Sequence, residues 1–516
     1  MRDLRIGVLA LPLSVLAITA AVMTNAAGQN DQETPRPQIP KTWDDRAMAT
    51  LEVPLADASA SPVHVSADYY YRIPVRPIYK TYPVYHPSRE PSGYFERVKG
   101  LEPEVVSLDF SNVKTQNDWR RVGEIVFDTP TDYDISGTSE QFRDPAYYTA
   151  SGIPVAKDGT VPFVKYVIRE KGKVEVGVLA CGTCHTRVMP DGAVVKGAQG
   201  NFPFDRTGLP PELPAEVLPI IRRLYKMLYG VPWLGPRDPA RQFEAMAYRE
   251  IVEHARAIPT GVQARHGTGL QIPAQIPDLI GVQERRYLDH TGLVRHRGIA
   301  DLMRYAALNQ AVDLYSRHGD FVPVAHDYRT VPDPYADSPF PFANGRYSDD
   351  ELYALAQFVY SLQPPTNPHT TGALTQRGRE IFAREGCGAC HTPPLYTNNR
   401  LTPAVGFQPP PQDVDRFDVM MRSVGTDPDL ALRTRRGTGY YKVPSLRGVW
   451  YRGPFEHSGS VATLEDWFDP RRLRDDYVPT GFKGHGVKTR PVKGHEFGLR
   501  LSVEDKAALI AFLKTL

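Results

Sequence analysis

The chain has 516 residues, enough for roughly two or three domains with cores of their own. Its 61 basic and 59 acidic residues leave a net charge of +2, so it carries no basic footprint for nucleic acid. The charge pattern is that of a mixed, solvated surface.

The first residues, Met1-Arg2-Asp3-Leu4-Arg5, precede an uncharged run from Ile6 to Met23 that ends in Thr24-Asn25-Ala26-Ala27. A basic start, an apolar middle and small residues at the end describe an export signal over residues 1–27, cut after Ala26 or Ala27. The competing reading is an uncleaved anchor, because the run is long for a signal. No later stretch is as apolar, so no membrane span is expected after cleavage.

Residues 28–105 are rich in Pro and Tyr, as in Tyr69-Tyr70-Tyr71-Arg72-Ile73-Pro74, and lack periodicity. They read as an extended arm over the surface. From Trp119 to Phe127 the apolar residues recur three and four apart, the spacing of an amphipathic helix. Phe163–Val167 and Val174–Val178 flank Lys171-Gly172-Lys173 and predict a β-hairpin leading into Cys181.

Cys181-Gly182-Thr183-Cys184-His185 follows, and Cys387-Gly388-Ala389-Cys390-His391 repeats the pattern. Two thiols two residues apart can each add to one haem vinyl group, and the adjacent histidine then lies under the iron. The motifs use all four cysteines. Two disulfides or a zinc site are the alternatives, but disulfides give the adjacent histidines no role and a zinc site is weaker because each pair has only one. An export signal agrees with haem attachment outside the cytoplasm.

Residues 211–257 read as helical, with apolar spacing through Ile220, Leu224, Met227 and Leu228. The stretch from Asp350 to Leu362 is a strong amphipathic helix, and Pro364-Pro365 marks a boundary after it. Thr375–Phe382 forms a helix feeding Cys387. A closing helix runs from Ser502, a candidate N-cap with acidic residues in the first turn.

Ile276–Gly292 and Val443–Gly459 align without a gap (443 − 276 = 167), sharing Pro, Leu, Gly, Val, Arg, His and the last Gly. The chain thus reads as mainly α, with two c-type cytochrome haem domains in tandem. The first spans 106–366 and carries long insertions including the β-hairpin; the second spans 367–516. His290 and His457 share one repeat position, which suits a common task such as bonding a propionate or fixing a loop.

Val443-Pro444-Ser445-Leu446-Arg447-Gly448 and His457-Ser458-Gly459-Ser460-Val461 resemble the second-domain signature of the di-haem cytochrome c peroxidases and the related MauG proteins. The resemblance covers Trp119 to Leu516. The hairpin, Tyr287–Gly292 and Gly494-His495-Glu496-Phe497-Gly498 look closest to the rubber-oxygenase branch, the RoxA type. It implies two covalent haems, with His185 and His391 as proximal ligands. One haem reacts and the other passes electrons.

His495 lies seven residues before Ser502, where the family's peroxidases carry a methionine ligand; the resemblance implies it as sixth ligand of the second iron. Met420, Met421 and His485 are reserves. A bis-histidine iron has a lower potential than a His/Met one, which departs from the peroxidase pattern. Seven residues before Ser348 stands Pro341, between Phe340 and Phe342, so the first iron is expected to be open. His326 and His296 are its reserves. Arg304 and Tyr305 fall where the peroxidases carry a catalytic glutamine, and are the candidate catalytic residues. A tyrosine or apolar pocket suits oxygen activation better than acid–base cleavage of peroxide.

These features imply a periplasmic oxidoreductase of peroxidase or dioxygenase type, or else a pure electron carrier with both irons closed. Its partners would be oxygen or peroxide, small redox proteins or quinone-linked donors and acceptors, and an apolar organic substrate. Calcium between the domains is implied by the resemblance alone; no carboxylate loop demands it.

Overall fold

A computed structural model describes residues 35–210, 212–324 and 345–516. The export segment, His326 and Phe340-Pro341-Phe342 lie outside the described residues.

Two helix pairs frame the molecule: α1 (Gln116–Asp128) with α2 (Asp349–Ser361), and α3 (Ala373–Arg384) with α4 (Val503–Lys514). Their starts follow from side chains that satisfy free backbone N–H groups. Thr115 and Asp118 form a capping box on α1, and Ser348 and Glu351 do so on α2. The Ser502 hydroxyl accepts from Asp505 N on α4.

Both pairs cross through a glycine. A Cβ at Gly123 would lie 2.0 Å from the Ala354 carbonyl oxygen, and one at Gly378 would lie 2.0 Å from that of Ala508. Phe358 and Phe512 close the two crossings from equivalent positions, their Cβ atoms 2.7 and 2.6 Å from the same points. Only glycine lets the backbones approach so closely.

The aligned segments also share backbone geometry. Asp289 and Glu456 both have left-handed φ, 68° and 69°. Leu288 pairs with Val294 in one segment as Phe455 does with Val461 in the other. The segments then interlock: Lys442 N donates to His290 O (2.9 Å), and Gln275 N donates to His457 O (2.8 Å). Since 275 + 167 = 442 and 290 + 167 = 457, the two bonds are related by a local pseudo-two-fold.

Strands β1 (Thr81–Tyr85), β2 (Asp132–Tyr133), β3 (Thr160–Glu170) and β4 (Lys173–Val178) form an antiparallel sheet in the order β1-β3-β4-β2. The β3–β4 hairpin pairs Lys165 with Gly177 and Val167 with Glu175. The remaining sheets are two-stranded ladders, so the fold is helix-rich with small sheets.

Two expectations need correction. Residues 35–105 do more than wrap the surface: Trp43, Leu51, Val53 and Tyr70 are fully buried. Trp43 stacks on Tyr70 at 4.5 Å, in the same core as Trp119, Phe127 and Leu352 of α1 and α2. The aromatic content that gave no periodic signal supplies apolar area the core needs. Residues 211–257 are broken into Leu218–Tyr229, Arg241–Glu244 and Tyr248–Arg256. Pro232, Pro236 and Pro239 interrupt them, since proline lacks the N–H a helix interior requires. Ile220 is 46% exposed, and the buried face is carried by Tyr225, Met227 and Tyr229.

Candidate haem sites

Both cysteine motifs form a single helical turn. Cys181–Cys184 follows β4, and His185 N closes the turn onto Cys181 O at 2.9 Å. The buried Thr183 hydroxyl donates to Phe163 O on β3 at 2.8 Å. Gly200 packs so tightly that a Cβ there would lie 1.9 Å from Cys184 O. The second motif follows α3, where Gly386 turns the chain with φ 74° and His391 N bonds Cys387 O at 2.9 Å.

None of the four cysteines is in a disulfide. Burial pushes Cys181 and Cys184 up to about 12, so they are neutral. The Cys184 Sγ lies 3.1 Å from Gln263 Oε1.

The proximal histidines are oriented by equivalent groups. His185 Nδ1 donates to Pro277 O at 3.0 Å, and His391 Nδ1 donates to Tyr396 O at 3.1 Å and also faces the Pro444 carbonyl. Pro277 and Pro444 match in the repeat (277 + 167 = 444). A carbonyl only accepts, so each Nδ1 carries the proton and each Nε2 keeps its lone pair for a metal. Burial lowers His185 to about 4 and lowers His391 as well, keeping both rings neutral as ligation requires.

The second site brings two histidines together. The ring centres of His391 and His495 are 6.2 Å apart. A metal–imidazole bond is about 2 Å and the ring centre lies about 1 Å behind the nitrogen, so two rings sharing one iron have centres roughly 6 Å apart. Burial, with His391 close by, holds His495 at about 3, again neutral. The His495 Nδ1 is buried without a hydrogen-bond partner.

The loop around His495 is tightly specified. His495 has φ 47°, and a Cβ on the preceding Gly494 would lie 2.2 Å from the Gly425 carbonyl carbon. His495 N donates to Val424 O at 2.6 Å. Trp467 and Phe497 flank the ring, each with its centre 5.2 Å away.

Cys387, Cys390, His391 and His495 line one cavity that opens to solvent. Lys442 and Arg452 line it too. Burial, reinforced by Arg285, pushes the Lys442 ammonium down to about 7. Two imidazoles at this spacing, paired thiols and cations suited to propionates fit a haem in this cavity.

Among the reserve ligands, Met421 is 59% exposed, while Met420 Sδ lies 4.0 Å from Asn398 Nδ2. His485 is exposed and meets His254 edge-on at 4.9 Å. His296 is engaged at both nitrogens, by Arg285 O at 2.6 Å and the Tyr360 hydroxyl at 2.7 Å. These contacts give His296 a structural role.

Of the candidate catalytic residues, Arg304 bonds Asp301 at 3.0 Å and the Lys41 carbonyl at 3.4 Å, which are structural ties. Tyr305 instead joins a buried network. Its hydroxyl donates to Asp289 Oδ2 at 3.1 Å, and Arg436 bonds the same oxygen at 2.7 Å. Arg265 lies 3.4 Å from it and also bonds Asn309. Burial opposes the charge on Asp289, yet Arg265 and Arg436 hold its carboxyl well below the carboxylate range. Arg265 acts electrostatically on both Cys184 and His185, which links Tyr305 to the first motif. Sequence reading missed Arg265, Asp289 and Arg436; the one available signal was that Asp289 occupies Glu456's place in the repeat.

His290 and His457 each fix a loop, by different bonds. His290 Nε2 donates to Gln275 O at 2.7 Å. His457 stacks on Tyr441 at 4.3 Å, with its Nε2 3.0 Å from the tyrosine hydroxyl, and pairs with Glu456.

No protein-family model matches the chain. Over 165 residues it is 29% identical to cytochrome-c peroxidase IdrP1 of Denitromonas iodatirespirans, covering 28% of this chain and 40% of the relative. Over 147 residues it is 29% identical to methylamine utilization protein MauG of Methylorubrum extorquens, covering 28% and 35%. The chain thus spans less than half the length of these curated relatives. Among solved structures, it is similar to a MauG-like protein associated with microbial copper homeostasis, at 19% identity and a TM-score of 0.28, over 60% of this chain and 91% of that one. The curated relatives, at modest identity, support its place in the superfamily of di-haem cytochrome-c peroxidases and MauG.

Proposed function

We propose that the chain is an exported, periplasmic di-haem c-type cytochrome oxidoreductase with one reactive and one electron-transferring haem. Cys181 and Cys184 anchor the first haem, Cys387 and Cys390 the second, in domains spanning 106–366 and 367–516. The observation that carries the reading is the 6.2 Å separation of His391 and His495, which suits a closed, electron-transferring iron. When bound, the haems supply one-electron transfer and oxygen or peroxide chemistry.

The protein's own groups do the rest. The Pro277 carbonyl holds the His185 imidazole in the ligating tautomer, and the Tyr396 carbonyl, with Pro444 beside it, does so for His391. Lys442 and Arg452 offer charge to propionates at the second site. Tyr305, held by Asp289, presents an ordered hydroxyl rather than a carboxylic acid, which favours rubber-oxygenase-like over peroxidase-like proton handling. Its partners are oxygen or peroxide, an apolar organic substrate, and small redox proteins or quinone-linked donors and acceptors.

The test is H495A in the full holoprotein. The variant should turn the second haem from low-spin to high-spin in its ferric absorption and EPR spectra, with the first haem unchanged. An unaltered spectrum would remove His495 as a ligand.

A further inference from the structure

Arg472 is the largest buried charge near the second site, with 0% of its surface exposed. It lies on the short turn Pro470–Leu473, far in sequence from either cysteine motif. Its guanidinium spends its donors on backbone. Nε donates to Trp467 O at 2.9 Å, Nη1 to Val492 O at 2.6 Å and Nη2 to His495 O at 2.9 Å. Val492 N returns a bond to Arg472 O at 2.6 Å. The guanidinium carbon also lies over the Trp467 ring at 5.2 Å, the ring that flanks His495.

One side chain thus ties together the turn carrying Trp467, the entry to the loop at Val492, and the carbonyl of His495 itself. His495 sits at a φ of 47°, which a non-glycine residue keeps only where its surroundings over-determine it. A planar fork can meet three divergent carbonyls at once; a lysine ammonium cannot reproduce that geometry. No carboxylate hydrogen-bonds the guanidinium among the described residues; Glu496, Glu456 and Asp469 act on it only at a distance. A buried cation this close favours whichever iron state carries less positive charge, the ferrous one.

We propose that Arg472 is a positioning residue for the second haem: it locks the His495 loop and raises the reduction potential of the iron that His495 closes. This rests on the reading of His495 as sixth ligand. The charge would offset part of the potential lowering that two histidine ligands bring.

The experiment compares R472K and R472M with the wild type, each as full-length holoprotein, by ferric EPR and spectroelectrochemical titration. R472K keeps the charge and loses the fork. It should show a high-spin fraction at the second haem, while its low-spin population titrates at the wild-type potential. R472M loses both, so a high-spin fraction should accompany a downward shift in the low-spin population. Should R472M not accumulate as holoprotein, R472K decides alone through its high-spin fraction. Two fully low-spin variants at the wild-type potential would overturn the proposal, as would a fully low-spin R472K when R472M is not obtained. Lower thermal stability with no spectral or potential change would mark Arg472 as merely structural, which also overturns it. Failure of the His495 reading shows separately, as an H495A spectrum identical to wild type.

Discussion

The two cysteine motifs are built alike on one side of their histidines and differently on the other. On one side each histidine donates its Nδ1 proton to a backbone carbonyl: His185 to Pro277, and His391 to Tyr396 with the repeat-equivalent Pro444 carbonyl beside it. On the far side, the second site has His495 on a loop tied by Val424 and Arg472. Around the first, the described structure supplies an ionic network centred on Asp289, with Tyr305, Arg265 and Arg436. On the proposed reading, the repeat keeps the groups that would hold a haem and changes those its iron would meet. Helix pairs and proline carbonyls serve any haem, whereas the sixth position decides between passing electrons and binding a small molecule.

That comparison can be broken at several depths. The largest stability effect is expected at Asp289. D289N leaves buried Arg436 and Arg265 short of their counter-charge and should cost about 4 kcal/mol, while E456Q at the matching position should cost less. Urea unfolding of both variants measures the difference. The pH dependence has a definite sign. The folded carboxyl of Asp289 is depressed, so its contribution is complete above about pH 4, the unfolded value, and is lost as pH falls through the folded one. Acid unfolding of D289N should therefore be less steep in that range; an identical curve would contradict the network's role.

Next come the glycine crossings. G123A and G378A each place a methyl against a helix carbonyl, and each should cost about 3 kcal/mol. Similar losses in thermal melts would show that the two helix pairs are equivalent, whereas a cost at one alone would break the parallel. The smallest effect is at the caps. S348A and S502A should each cost about 1 kcal/mol, by the same measurement.

Much of this was legible in the sequence wherever the signal was local. The cysteine motifs, α1, α2, α4, the hairpin and the 167-residue offset all rest on spacing or capping within a few residues. The reading of a surface arm fails over residues 35–105 because a core aromatic such as Trp43 is specified by its partner Tyr70 and by distant helices, not by a period. Arg436 and Asp289 are 147 residues apart, and Arg472 reaches its carbonyls 20 and 23 residues downstream. Nothing in a single sequence marks such partners. His495 was singled out through a family position, while the loop that holds it became visible only in three dimensions.

The central claim is that one iron is closed and the other open. Carbon monoxide titration of the dithionite-reduced holoprotein tests it most directly. The account predicts one equivalent bound per chain, at the haem held by Cys181 and Cys184, with the haem facing His495 unchanged. Binding at neither haem, or at both, would contradict it.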